Sequence, residues 1–222
     1  MVFADQAMKK VGYLANCKAS TVTDANGDEL SALLMFFIGD DGSWTKCSLP
    51  YKPYFYLLVE EEFIREVVFY LNKEFSNSLA SLDTVDKEDL NLVNHLSGKT
   101  QKFLKLSFSN MQELIKVRQD LLPIVKKNKA GKETQDAYEG WYNSAEMAGG
   151  QPNKYTIVNK IVDIREYDVS YHTRVQIDNE IRCSFWYEYT LDGPLCSGLT
   201  QMTEKLDKAD LRIMAFDIEC TK

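Results

Sequence analysis

The spacing of apolar and polar residues changes several times along the chain, and each change predicts an element. The opening stretch to about Asn16 has no clear period, and Thr23-Asp24-Ala25-Asn26-Gly27-Asp28 is a turn cluster centred on Asn-Gly, where a hairpin is expected to begin. Ala32 to Ile38 is an apolar run of strand length closed by Gly39-Asp40-Asp41-Gly42-Ser43. Trp44 to Leu49 then alternates apolar with polar, which predicts two antiparallel strands joined by a tight turn. Tyr54-Phe55-Tyr56-Leu57-Leu58-Val59 reads as a buried strand, introduced by Pro50 and Pro53, which have no N–H to give to a ladder. Glu60, Glu61 and Glu62 suit the positive end of a helix dipole. Phe63, Ile64, Val67, Val68, Leu71 and Phe75 follow at helical spacing and form one apolar face, which is expected to lie on a sheet.

Leu79 to Val85 supplies a further strand, and in Lys102 to Phe108 the residues Leu104, Leu106 and Phe108 share a face. Asn110 with Glu113 has the form of a capping box, opening a helix through Met111, Leu114, Val117 and Leu121 that Pro123 is expected to limit or kink. The order strand, helix, strand, strand, helix needs one more strand to complete a split βαβ, ferredoxin-like arrangement, and Ile181 to Tyr189 is the candidate. Residues 130–152 read as a polar surface insertion with a helix at Asp136 to Met147, ended by Gly149-Gly150-Gln151-Pro152. Ile157 to Val175 has mixed helical character. After Gly193-Pro194 a polar stretch runs to Asp210, and Leu211 to Lys222 looks like a buried strand opening a new domain. The expected fold is therefore α+β, a ferredoxin-like core with extra strands and helices over 1–210 and the start of a second domain at 211–222.

Composition narrows the class. A chain of 222 residues, 45% hydrophobic and 27% charged, can bury a core and is unlike a disordered polymer. The five cysteines, at 17, 47, 183, 196 and 220, are odd in number and lack Cys-x-x-Cys spacing, so they fit neither a disulfide framework nor a zinc site and suggest a reducing compartment. No apolar run approaches a bilayer span, and Met1-Val2-Phe3-Ala4-Asp5 lacks the form of a signal peptide, so a soluble intracellular protein is expected. A formal charge of −7 opposes general attraction to phosphate, so any contact with nucleic acid must be local. The densest basic cluster is Lys126-Lys127-Asn128-Lys129 with Lys132, near a helix end, where lysines also complement the dipole.

The residues that bear on chemistry are few. Asp217 and Glu219 are two apart, so on a strand their carboxylates point to one face and suit hard cations such as Mg²⁺; two-metal nucleases use such pairs. They follow the apolar run Ile213-Met214-Ala215-Phe216, which puts them at the end of a buried strand. Tyr51, Tyr54, Phe55 and Tyr56 are of the type that stacks on unpaired bases, but strand alternation assigns at least two of them to the core. His95 and His172 have no Cys or His at ligand spacing and read as structural, and Trp186, Tyr187 and Tyr189 read as packing for the last strand.

Ala215-Phe216-Asp217-Ile218-Glu219-Cys220-Thr221-Lys222 resembles the first exonuclease motif of B-family DNA polymerases, with Cys220 in place of the usual Thr. Asp163 to Val175 resembles that family's Arg-Glu-Tyr-Asp-Val-Pro-Tyr-His segment, with Ser170 where Pro is common. Leu49 to Tyr56, Lys87-Glu88-Asp89-Leu90, Asn94-His95-Leu96, Val125 to Asn128 and Asp136-Ala137-Tyr138 resemble the epsilon branch. The resemblance implies an N-terminal domain with an RNA-recognition-like core, followed by the first strand of an RNase H-like 3′→5′ exonuclease domain in which Asp217 and Glu219 bind the catalytic Mg²⁺. It implies a parent DNA-directed DNA polymerase that makes the leading strand in the nucleus with proofreading, using primer-template DNA and dNTPs, alongside other subunits and away from membranes. The family's iron–sulfur cluster and zinc sites would lie beyond Lys222, and the chain alone would be inactive, with Lys126, Lys127 and Lys129 as candidate DNA contacts. The competing readings are a stand-alone RNA-recognition module, against which Lys102 to Phe108 lacks the signature glycine and aromatic platform, and a protein-interaction domain whose Asp-x-Glu is accidental.

Overall fold

The computed structural model describes residues 8–90, 98–138 and 157–210, excluding the side chains of 132–138. The elements in chain order are β1 (Met8–Thr23), β2 (Glu29–Ile38), β3 (Trp44–Pro50), β4 (Tyr54–Val59), a 3₁₀ turn (Glu61–Phe63) leading into α1 (Ile64–Glu74), β5 (Leu79–Glu88), β6 (Thr100–Phe108), α2 (Met111–Tyr138), β7 (Ile161–Arg165), α3 (Tyr171–Asp178), β8 (Trp186–Asp192) and β9 (Leu195–Gln201). They divide between two compact units. Among the described residues, one unit takes 8–22, 32–51 and 172–210, and the other takes 23–31, 52–90, 98–138 and 157–171.

The second of these units is a four-stranded sheet in the order β5-β6-β4-β7, antiparallel at every pairing, with the chain passing through it as β-α-β-β-α-β. Phe55, Leu57 and Val59 of β4, Leu104, Leu106 and Phe108 of β6, and Ile161 and Ile164 of β7 line one face. Val67 and Leu71 of α1 and Leu114, Val117, Leu121 and Val125 of α2 close over them at the three- and four-residue spacing that makes a helix stripe. The Asn110 Oδ1 accepts the Glu113 N–H at 3.0 Å, so Asn110 caps α2 as expected, and the Ser31 hydroxyl accepts the Met111 N–H at 2.9 Å.

Two expectations about this unit are corrected. Of the two effects expected of Pro123, a limit or a kink, the limit is overturned: α2 continues through it to Tyr138. Pro123 lies on the exposed side, where water can serve the Gln119 carbonyl that it leaves unbonded, while Leu121 and Val125 on the buried side keep the helix docked. The predicted insertion, 130–152, thus begins inside α2, and its residues 139–152 lie outside the described residues. The completing strand is β7, not Ile181 to Tyr189: the stretch expected to be of mixed helical character contains β7 and then α3. Ile161 and Ile164 reach the core because a register shift beside Leu58 and Val59 offsets the alternation, which is why their spacing of three looked helical.

The other unit is a closed barrel, β1-β2-β3-β9-β8. The β2–β3 hairpin is the predicted one, paired from Ala32↔Pro50 to Ile38↔Trp44. β1, which has no clear period in the sequence, pairs with β8 from Met8↔Leu191 to Tyr13↔Trp186. Tyr13, Leu14, Met35, Phe37, Trp186, Tyr187 and Tyr189 are buried, with Phe37 stacked on Tyr189 at 4.2 Å between centroids and Trp186 donating its Nε1–H to the Asp207 carbonyl at 2.7 Å. Gly12 makes that stack possible: a Cβ there would lie 3.0 Å from the Phe37 Cβ and 3.2 Å from the Tyr189 ring. The tryptophan and tyrosines of β8 therefore do pack a strand, but one of the barrel.

Leu106 is fully buried and Phe69 of α1 is 71% exposed. In chemical denaturation Leu106→Ala is expected to cost about 2–5 kcal/mol and Phe69→Ala no more than about 0.5 kcal/mol, a contrast that vanishes if the sheet-helix core is wrongly placed.

Candidate functional site

The carboxylates singled out in the sequence, Asp217 and Glu219, lie outside the described residues, as do His95 and Cys220. The basic cluster can be placed. Lys126 and Lys127 are exposed on the second half of α2. Lys129 is exposed too, with the Asp163 carboxylate 2.6 Å away. Between them Asn128 donates its side-chain amide to the carbonyls of Val158 and Ile161, both at 2.8 Å, fastening α2 to the start of β7. Lys126, Lys127 and Lys129 are therefore all exposed cations, the last with a carboxylate beside it, while Asn128 holds the fold. The Lys132 side chain lies outside the described part, and His172 is exposed.

The pairing registers put Tyr54 and Tyr56 of β4, Phe103 and Lys105 of β6, Lys87 of β5, and Asp163 and Arg165 of β7 on the sheet face opposite the helices. The aromatic rings there are not an open platform: Tyr54, Tyr56 and Phe103 are 7%, 9% and 2% exposed. The Lys105 ammonium sits 3.9 Å over the Tyr54 ring and the Lys87 ammonium 4.4 Å over Tyr56. Phe55 points into the core on the other side. Tyr51 is partly buried and donates its hydroxyl hydrogen to Asp178 at 2.6 Å. The core reading of these aromatics agrees with where they lie.

Charges on this face are paired across strands. Arg165 bonds to Asp163 on its own strand and to Asp89, with Nη2 3.3 Å from Oδ2, while Lys87 pairs with Glu166. Asp163 thus lies between Arg165 and Lys129. Glu166 has φ +57, a left-handed conformation that costs a non-glycine residue about 1 kcal/mol or more, and the flanking bonds hold it: Lys87 to its carboxylate and the Arg118 guanidinium to the Tyr167 carbonyl at 3.1 Å. Lys87, Asp89, Leu90, Phe103, Arg165 and Glu166 line a cavity of about 470 Å³. In the sequence Lys87–Leu90 and Asp163–Val175 stand out separately, each for its resemblance, and nothing there shows that they form one network. Opposite charges at 87–89 and 163–166 were a signal, but a usable one only once β5 and β7 are known to share a sheet.

Among the described residues no group of three or more His, Cys, Asp or Glu side chains has metal-holding geometry, and no helix is long and apolar enough to cross a membrane. Residues 162–222 match DNA polymerase family B, exonuclease domain. Along 96% of its length the chain is 34% identical to a DNA polymerase epsilon catalytic polypeptide of Dictyostelium discoideum and 36% identical to one of Arabidopsis thaliana. The chain resembles the catalytic subunits of DNA polymerase epsilon. To the Schizosaccharomyces pombe protein it is 37% identical over 95% of its length. The resemblance read from the sequence motifs is thereby borne out. The chain spans about a tenth of the length of these curated relatives. In fold it is similar to the family B DNA polymerase of the archaeon Pyrobaculum calidifontis, with a TM-score of 0.50 and 16% identity, covering 84% of this chain and 19% of that one. The mixed α+β, sheet-rich architecture is thus similar to that of part of a family B polymerase.

Arg165→Ala would remove the cation beside Asp89, whose side chain is only 4% exposed. Its expected cost in urea denaturation is about 3 kcal/mol, against no more than about 0.5 kcal/mol for Lys126→Ala. Equal small losses at both positions would show that the network contributes nothing to the fold.

Proposed function

We propose that this chain is the N-terminal part of a DNA polymerase epsilon catalytic subunit, and that the whole enzyme carries out DNA-templated leading-strand synthesis with 3′→5′ proofreading in the nucleus. The observation that carries this reading is the similarity to epsilon catalytic subunits over 96% of the chain, together with the exonuclease-domain match that begins at residue 162. Residues 1–210 are read as the polymerase N-terminal domain, whose last part the family match overlaps from residue 162, and 211–222 as the opening of the exonuclease fold itself. The sheet order β5-β6-β4-β7, with the passage β-α-β-β-α-β, supports a ferredoxin-like, RNA-recognition-like core within the former.

Within this reading Asp217 and Glu219 are exonuclease metal ligands. A family B exonuclease depends on divalent metal, and two carboxylates on one strand face are the hard oxygen donors that Mg²⁺ takes. The metal's contribution would be to lower the pKa of an attacking water and to stabilise the leaving 3′ oxygen. The chain's own contribution is to set both carboxylates at the end of the apolar run Ile213 to Phe216. Two carboxylates without the rest of their site leave the chain inactive alone. DNA primer-template, dNTPs and the other epsilon subunits are the partners of the whole enzyme, and the iron–sulfur and zinc sites of the family belong outside this chain. The stand-alone RNA-reader alternative is disfavoured by the covered aromatic face, on which no base could stack without displacing Lys87 and Lys105.

The test uses the full polymerase that carries this segment. Asp217→Ala with Glu219→Ala is expected to slow Mg²⁺-dependent 3′→5′ digestion of a primer about a hundredfold or more while DNA synthesis persists. Undiminished digestion would remove both residues from the site.

Lys126, Lys127 and Lys129 are all exposed in the predicted DNA-contact cluster, and among the described residues Lys126 and Lys127 are the two with no carboxylate beside them, Lys129 having Asp163 at 2.6 Å. Changing Lys126 and Lys127 together to Ala is expected to reduce the slope of log affinity against log salt for primer-template by about two. An unaltered slope would leave those lysines as a solvated helix face.

A further inference from the structure

Among the described residues the barrel unit brings four cysteines together as two thiol pairs. Cys47 of β3 and Cys196 of β9 are buried and share a hydrogen bond, and that bond together with burial raises the Cys47 thiol far above its ordinary value. Cys17 of β1 and Cys183, just ahead of β8, are only partly buried, with their sulfur atoms 3.8 Å apart. Backbone bonds build this second pair into the seam of the barrel: the Leu14 N–H donates to the Phe185 carbonyl at 2.9 Å and the Ser184 N–H donates to the Leu14 carbonyl at 2.8 Å. Between Cys183 and Phe185, Ser184 holds a left-handed backbone at φ +69, so the chain turns beside Cys17 instead of continuing the ladder. A sulfur–sulfur bond is about 2.0 Å long, so less than about 2 Å of approach separates the two thiols from a covalent link.

We propose that Cys17 and Cys183 are a reversible disulfide site, oxidised by exchange with a low-molecular-weight disulfide of the glutathione type. In the first step the Cys183 thiolate attacks one sulfur of glutathione disulfide, forming a mixed disulfide and expelling one glutathione thiolate. In the second, Cys17 loses its proton to solvent and attacks the Cys183 sulfur, forming the Cys17–Cys183 bond and expelling the second glutathione thiolate. The two released thiolates take up the two protons given by the cysteines, so two protein thiols are oxidised by two electrons and one glutathione disulfide becomes two glutathiones. The order follows from Cys17, whose thiol is pushed up to about 12 by burial and by the neighbouring Cys183, which makes it the poorer first nucleophile. Once Cys183 is capped, its share of that elevation is gone. The buried Cys47 and Cys196 offer an incoming disulfide no comparable access.

The experiment equilibrates the chain in glutathione buffers of rising oxidised fraction, quenches by alkylation, and maps the thiols by peptide mass spectrometry. The expected result is loss of two thiols with a Cys17–Cys183 linked peptide, no linkage of Cys47 or Cys196, and a rise in melting temperature that dithiothreitol reverses. Cys17→Ser is expected to abolish the linked peptide and the melting shift, and to raise at least tenfold the fraction of Cys183 that carries glutathione. Persistence of the mixed disulfide at Cys183 in the unaltered chain would overturn the proposal. So would linkage of either residue to Cys47, Cys196 or Cys220, or both thiols staying reduced under excess glutathione disulfide.

Discussion

Strand β4 has almost no solvent face, and the sheet unit is arranged around that constraint. Five of its six residues are buried, so both edges of its backbone must be paired and both sides covered. β6 takes one edge and β7 the other. Phe55, Leu57 and Val59 draw α1 and α2 onto one side, while Tyr54 and Tyr56 on the other are covered by ammonium groups and cross-strand ion pairs. The two faces are closed by different means: one by apolar area alone, the other by cations lying over rings and pairing with carboxylates.

That arrangement explains what was legible. α1 and β6 were readable because each carries its own period, β4 because it is an unbroken apolar run, and β5 only as a strand of ambiguous facing; the Asn110 cap announces α2 by local chemistry. β7 was not, since two of its five residues are the charged Asp163 and Arg165, whose burial makes sense only beside Asp89 and Lys129 from distant parts of the chain. β1 was missed for a different reason. Gly12, Tyr13 and Leu14 are buried in succession where the strand closes the barrel, and the rest of the strand is largely polar, so alternation never becomes visible. Trp186 to Tyr189 were rightly seen as a packed strand, but hydrophobicity does not say which sheet a strand joins, and these belong to the barrel.

The segment that most resembles the family, Asp163 to Val175, combines recognition with architecture. Asp163 and Arg165 anchor the charged face, Glu166 and Tyr167 hold the turn out of β7, and Tyr171 and Val175 are buried on α3. A charged motif of this kind reads from sequence as a candidate for catalysis or binding, whereas Asp163, Arg165 and Glu166 are engaged in ion pairs that tie β7 to the rest of its unit. Lys129 shows the same lesson in miniature: it belongs to a basic cluster by sequence and, though exposed, to an ion pair by structure, while Lys126 and Lys127 are exposed beside it.

The barrel is assembled from segments far apart in the chain, and this sets a timetable for its birth. β1 finds its partner β8 only after more than 170 further residues have been made. At translation speeds of about 5–20 residues per second, β1 waits on the order of ten seconds or more with that edge of its backbone unanswered. The four-stranded sheet has all its strands by Arg165 and can form during that delay. During that delay the nascent chain therefore carries a strand with one edge unpaired while the sheet folds, a situation in which holding chaperones and the pace of the ribosome matter more than the final stability of either unit.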